Sequence, residues 1–118
     1  MQDSLESLRI KLAEFATNRD WEQFHSPKNL SMALIAEAAE LVEHFQWLTE
    51  EQSHTLDAEK KHAVSHELAD ILIYLIRTAD KLGVDLIQSA NDKIAINETR
   101  YPVDQVRGKA KRASEYSL

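Results

Sequence analysis

Leu34-Ile-Ala-Glu37-Ala-Ala-Glu40-Leu-Val-Glu43-His-Phe-Gln-Trp47 reads as a helix that is apolar over most of its circumference yet carries carboxylates. At about 100° per residue, Glu37 and Glu40 fall within one turn on one face. His66-Glu67-Leu-Ala-Asp70-Ile-Leu-Ile-Tyr74 repeats the arrangement, with Glu67 and Asp70 again three residues apart among Ala, Leu and Ile. Ionised carboxylates in such surroundings are costly unless they are partnered. Lys and Arg are absent from residues 29–59 and 62–76, so local cationic side chains are missing. A divalent cation is the natural replacement. Oxygen donors in a chain without cysteine point to Mg²⁺ or Mn²⁺ rather than zinc. Single E-x-x-E pairs are also common on solvated helix faces, so the competing reading is a metal-free acidic groove. A di-iron bundle is disfavoured, because it calls for inward E-x-x-H motifs. The nearest case here, Glu59-Lys-Lys-His62, carries lysines.

Outward from these two stretches the chain reads as further helices. Leu5, Leu8, Leu12, Phe15 and Ala16 give helical spacing over residues 3–16. Ser26-Pro27 reads as an N-cap followed by proline at the first helical position, opening a helix that should run to about Leu48. Thr49-Glu-Glu-Gln52 has the form of a capping box. The next helix is expected from about Leu56 to Leu82. Its apolar stripe, Val64, Leu68, Ile71, Leu75 and Leu82 with Leu72, Ile76 and Ala79 beside it, is wide enough to predict burial on much of its surface. Gly83 should stop it, and a last helix should span about Val84 to Arg100, closed by Tyr101-Pro102. The expected fold class is all-α, a bundle of four to five helices over residues 1–102. Residues 103–118 carry a net charge of +2 without periodicity and are expected to be a flexible basic tail.

Composition supports one helical domain and excludes several functions. The chain has 118 residues, a size suited to a single core. Fourteen Lys and Arg against 20 Asp and Glu give a net charge of −6, which argues against a duplex nucleic acid or anionic membrane partner. Two glycines and two prolines are too few turn residues for a β-sandwich or a doubly wound sheet. No Gly-rich phosphate loop is present, which excludes a P-loop mechanism. Disulfides are impossible without cysteine, no apolar run reaches the length of a membrane span, and the N-terminus lacks a signal-peptide pattern. A cytoplasmic protein is therefore expected.

Other residues extend from the carboxylates. His44 and Trp47 follow Glu40 at i+4 and i+7 on the same face of the second helix, and Tyr74 follows Asp70 at i+4. Lys93, Asn97 and Arg100 share a face of the last helix. A metal site, an aromatic platform and a cationic stripe suit a nucleoside polyphosphate, with the ring stacking on a base and the charges neutralising phosphates. Trp47 and Tyr74 read equally as core residues, and Lys93 and Arg100 as a solvated face. Trp21, Phe24 and His25 either staple the entry of the second helix or wall a base pocket.

Taken together, these residues resemble a known family. Glu37-x-x-Glu40 and Glu67-x-x-Asp70 are similar to the metal motif of the all-α NTP pyrophosphatase (MazG-like) superfamily. Arg19-Asp-Trp-Glu-Gln-Phe-His25, Glu40 through Trp47, Glu67 through Tyr74, and Asn97-Glu-Thr-Arg-Tyr-Pro102 resemble its dCTP pyrophosphatase branch. The resemblance implies a homotetramer and Mg²⁺-dependent cleavage of a nucleoside triphosphate, dCTP or a related deoxynucleotide, to the monophosphate and pyrophosphate. It implies that Glu37, Glu40, Glu67 and Asp70 are the catalytic metal ligands and that Trp47 stacks on the base. Trp21 and His25 would help close the pocket, and Tyr74, Lys93 and Asn97 would contact sugar or phosphate. Ala36 and His66 depart from the pattern, standing where many members carry glutamate. The alternative function is a non-catalytic helical interaction module whose acidic groove receives a basic partner.

Overall fold

A computed structural model describes residues 4–116, and every regular element among them is helical. The four long helices are α1 (Leu5–Asn18), α2 (Pro27–Glu43), α4 (Ala58–Leu82) and α5 (Leu86–Arg100). Two single-turn helices are interposed, α3 (Glu50–Ser53) and α6 (Val103–Val106), together with 3₁₀ turns at Glu22–Phe24 and Ala113–Glu115. The all-α expectation holds. Asp3, the first residue of the expected leading helix, lies outside the described residues.

Side-chain caps explain the starts. The hydroxyls of Ser4, Ser26 and Thr49 and the carboxylates of Asp57 and Asp85 each accept from the backbone N–H three residues on. These caps place α4 and α5 one or two residues later than the periodicity suggests, because Asp57 and Asp85 are the cap residues. Gly83 ends α4 in the left-handed region at φ 68°, where a side chain would be strained, and Val84 N–H closes the end on Ala79 O at 2.8 Å.

The end of α2 corrects the sequence reading. The helix stops at Glu43 rather than Leu48, and His44–Leu48 turns tightly, with Gln46 N–H on Val42 O at 2.8 Å. The cause is local: Thr49 is extended (ψ 163°) and caps α3, so the chain must leave the helical path before it. Trp47 therefore lies beyond the last residue of α2.

The chain forms two compact units, one ending at Val84 and the other starting at Asp85. In the first, α1 and α2 both pack against α4. Ala16, Leu30, Val64, Ile76 and Ala79 are buried there. The broad α4 stripe is only partly covered, since Leu68, Leu72, Leu75 and Leu82 are exposed in the single chain. In the second unit, the segment expected to lack regular structure contains α6 and the Ala113–Glu115 turn. There the Tyr116 hydroxyl accepts from Lys111 N–H at 2.9 Å, and the Tyr101 and Tyr116 rings meet edge-on at 6.2 Å. No described helix is long and apolar enough to cross a membrane.

Candidate active site

Packing of α2 on α4 brings the two carboxylate pairs together. One oxygen each from Glu37, Glu67 and Asp70 lies within 4.8 Å of the others. All three residues are half-buried. Glu40 is exposed and falls outside this cluster, though its carboxylate still acts on that of Glu37. No Lys or Arg pairs with any of the four among the described residues. His44 Nε2 stands 4.0 Å from Glu67 Oε1.

Two oxygens define what the site lacks. Glu37 Oε2 and Glu67 Oε2 are buried and accept no hydrogen bond. Leaving buried acceptors unsatisfied costs on the order of 1–3 kcal/mol each, more when charged. Without a cation, Glu37 relieves the crowding by holding a proton: its carboxyl is pushed up to about 7. Burial is the largest cause, followed by hydrogen bonding to Glu40 and Glu67 and the charges of Glu40 and Asp70. Clustered, desolvated, partner-poor carboxylates from two helices fit a hard divalent cation.

This crowding has a stability consequence. A carboxyl near 4.5 when unfolded and near 7 when folded binds its proton more tightly in the native state. Its contribution to stability is full below the unfolded value and is lost as pH rises through about 7. Glu37→Gln removes that loss. In chelator, the melting temperature of the variant should exceed that of the wild type at pH 8 by about 4 °C or more, with the gap closing at pH 5. A gap independent of pH counts against the crowded-carboxylate account.

The other anticipated residues divide into groups. Tyr74 sits beside the cluster, since burial and then the charges of Glu37 and Asp70 raise its phenol. Trp21 and His25 lie together on the segment between α1 and α2, with ring centroids 6.2 Å apart, and Phe15 meets the Trp21 ring edge-on at 5.7 Å. Trp47 is 87% exposed, which removes the core reading. Lys93 and Asn97 belong to the second unit, one turn apart on α5, with Lys93 exposed and Asn97 half-buried. Arg77 was not singled out by sequence. It is the first cation after the 62–76 gap, but spacing alone gave no sign that it is buried.

Comparison with known proteins gives the family and the fold. Residues 33–116 match the MazG-like family. The chain is 45% identical over 111 residues to dCTP pyrophosphatase 1 of Mus musculus, covering 92% of this chain and 65% of that protein. Identity to dCTP pyrophosphatase 1 of Homo sapiens is 40% over 116 residues, covering 97% of this chain and 68% of that protein. The chain thus spans about two thirds of the length of these curated relatives. A crystal structure of a pyrophosphatase from Archaeoglobus fulgidus superposes with a TM-score of 0.78 at 37% identity, over 82% of this chain and 91% of that one.

Proposed function

Because this chain belongs to the MazG-like family, we propose that it is a Mg²⁺-dependent nucleotide pyrophosphohydrolase acting on dCTP or a related deoxynucleoside triphosphate. The observation that carries this reading is the carboxylate cluster of Glu37, Glu67 and Asp70, with two buried oxygens lacking donors and no Lys or Arg ion pair to it among the described residues. The names of the similar proteins support the choice of bond and base.

Glu37, Glu67 and Asp70, joined by Glu40 one turn along α2, would hold the cation. When bound, a divalent ion supplies charge neutralisation of the polyphosphate and acidification of water; Mn²⁺ is the expected substitute. The chain's carboxylates orient the attacking water and take its proton. The water oxygen bonds to the α-phosphorus, the α–β bridging bond breaks, and pyrophosphate leaves. Tyr74, beside the cluster, contacts sugar or phosphate, as do Lys93 and Asn97 on the family resemblance. Trp47 stacks on the base, with Trp21 and His25 as further wall. Residues 1–102 carry these groups, and the basic residues 103–118 are accessory.

A panel of nucleoside triphosphates with Mg²⁺, scored for pyrophosphate against orthophosphate release, tests the proposal. Pyrophosphate release strongest with dCTP or another deoxynucleotide is expected. Orthophosphate release, or none with any member of the panel, overturns it. Thermal denaturation separates the interaction-module alternative, since Mg²⁺ should raise the melting temperature of the enzyme and leave a metal-free module unchanged.

The exposed leucines of α4, together with Ile35 and Val42 on α2, form more uncovered apolar surface than isolated surface residues require. A homo-oligomer is therefore expected, a tetramer by family resemblance. Light scattering that finds a monomer at micromolar concentration overturns that expectation.

A further inference from the structure

Arg77 is 3% exposed and is the one buried charged side chain among the described residues. Its guanidinium is committed on three sides. Nη2 donates to Glu22 Oε1 at 2.7 Å, Nη1 to Asp80 Oδ2 at 3.4 Å, and Nε to His25 Nδ1 at 3.3 Å. Both carboxylates are held from a second direction, Glu22 by Lys81 and Asp80 by Arg9 at 3.1 Å. The fork is thus held by Asp80 of α4 on one side and by Glu22 and His25, on the segment between α1 and α2, on the other.

The chemistry of the third contact is one-sided. A guanidinium donates and never accepts, and it stays protonated at any physiological pH. His25 Nδ1 must therefore be an unprotonated acceptor, which leaves the ring's single proton on Nε2. Among the described residues, Nε2 makes no hydrogen bond. The charged surroundings agree: burial first, then the Arg77 and Lys81 charges, hold His25 below the ordinary histidine range, against the opposing pull of Glu22.

We propose that Arg77 is a positioning residue that fixes His25 as a neutral imidazole with its N–H at Nε2, presenting one hydrogen-bond donor to the base. This rests on the proposed function, which places His25 in the pocket wall beside Trp21. A single fixed donor selects a base edge that offers a carbonyl oxygen or an unprotonated ring nitrogen. A mobile or doubly protonated imidazole would accept that edge less selectively. None of the carboxylates that would hold the cation takes part in this network.

Nitrogen-15 NMR of the metal-free full chain reads the tautomer directly. At neutral pH, His25 should show an acceptor-type shift at Nδ1 and a protonated-type shift at Nε2. Arg77→Lys keeps a cation beside Glu22 but removes the Nε donor. In that variant His25 should become a tautomer mixture, and KM for dCTP should rise about five- to tenfold, the worth of one hydrogen bond. Its kcat should stay within about twofold and its affinity for inorganic pyrophosphate, which has no base, should be unchanged. His25→Gln, which retains a donor amide, should lose less affinity for dCTP than His25→Leu. A wild-type ring protonated at Nδ1 overturns the proposal whether or not any variant folds. A tautomer shift in Arg77→Lys with unchanged KM overturns it at the pocket. Absence of pyrophosphate release from every nucleoside triphosphate of the panel in the wild type overturns the proposed function instead, and the NMR result still decides what Arg77 does to His25.

Discussion

On the proposed function, Glu67→Gln should lower dCTP turnover by at least about a hundredfold while the helices stay folded, the loss expected when one preorganised electrostatic contact is removed. Glu67 is a half-buried member of the cluster. Its Oε2 is buried without a donor, and His44 Nε2 stands 4.0 Å from its Oε1. Glutamine keeps the shape and removes the charge, and its amide can donate to Glu37. The metal-free variant should therefore melt no lower than the wild type. Its Mg²⁺-induced rise in melting temperature should shrink, because the cation contributes less to a site with one fewer charge. Near wild-type turnover with an undiminished Mg²⁺ response would remove Glu67 from the metal site. Lost turnover with a collapsed melting temperature would indicate a structural role instead.

The contrast between Glu67 and Glu40 shows how far the sequence could be read. Both E-x-x-E/D pairs look equivalent along the chain, and helical spacing places each on one face. Which oxygens converge depends on how α2 rolls against α4, a tertiary quantity that periodicity does not encode. The structure gathers Glu37, Glu67 and Asp70 and leaves Glu40 at the rim. Helix existence was legible because the caps are written locally, as at Ser26-Pro27 and Gly83. The end of α2 was not, because the apolar pattern runs on through Phe45 and Trp47 while the Thr49 cap stops the helix earlier. Arg77 illustrates the same limit. Its burial depends on Glu22, which is 55 residues away in sequence and brought to it by the fold.

That early helix end bears on Trp47→Ala, which should weaken deoxynucleotide binding by about one to two decades, because stacking on one base is worth roughly 1–3 kcal/mol. Helical spacing left two readings of this ring, a core residue or a platform for the base. At 87% exposure it has almost no packing to lose within the chain. Truncating a core aromatic typically costs about 3–5 kcal/mol, whereas this variant should melt within about 2 °C of the wild type, as exposed substitutions do. The turn at His44–Leu48 holds the ring beyond the end of α2. On the proposed function, that exposed ring would stack on a base whose phosphates are held at the cluster. Inorganic pyrophosphate has no base, so its affinity should be nearly unchanged in the same variant. Calorimetric titration of both ligands, alongside melting, separates the possibilities. Equal losses for nucleotide and pyrophosphate in a well-folded protein would show that the ring acts on the phosphate site and not on the base. A large drop in melting temperature would show that the ring is covered in the assembled protein, and would move Trp47 from the base pocket to the interface between subunits.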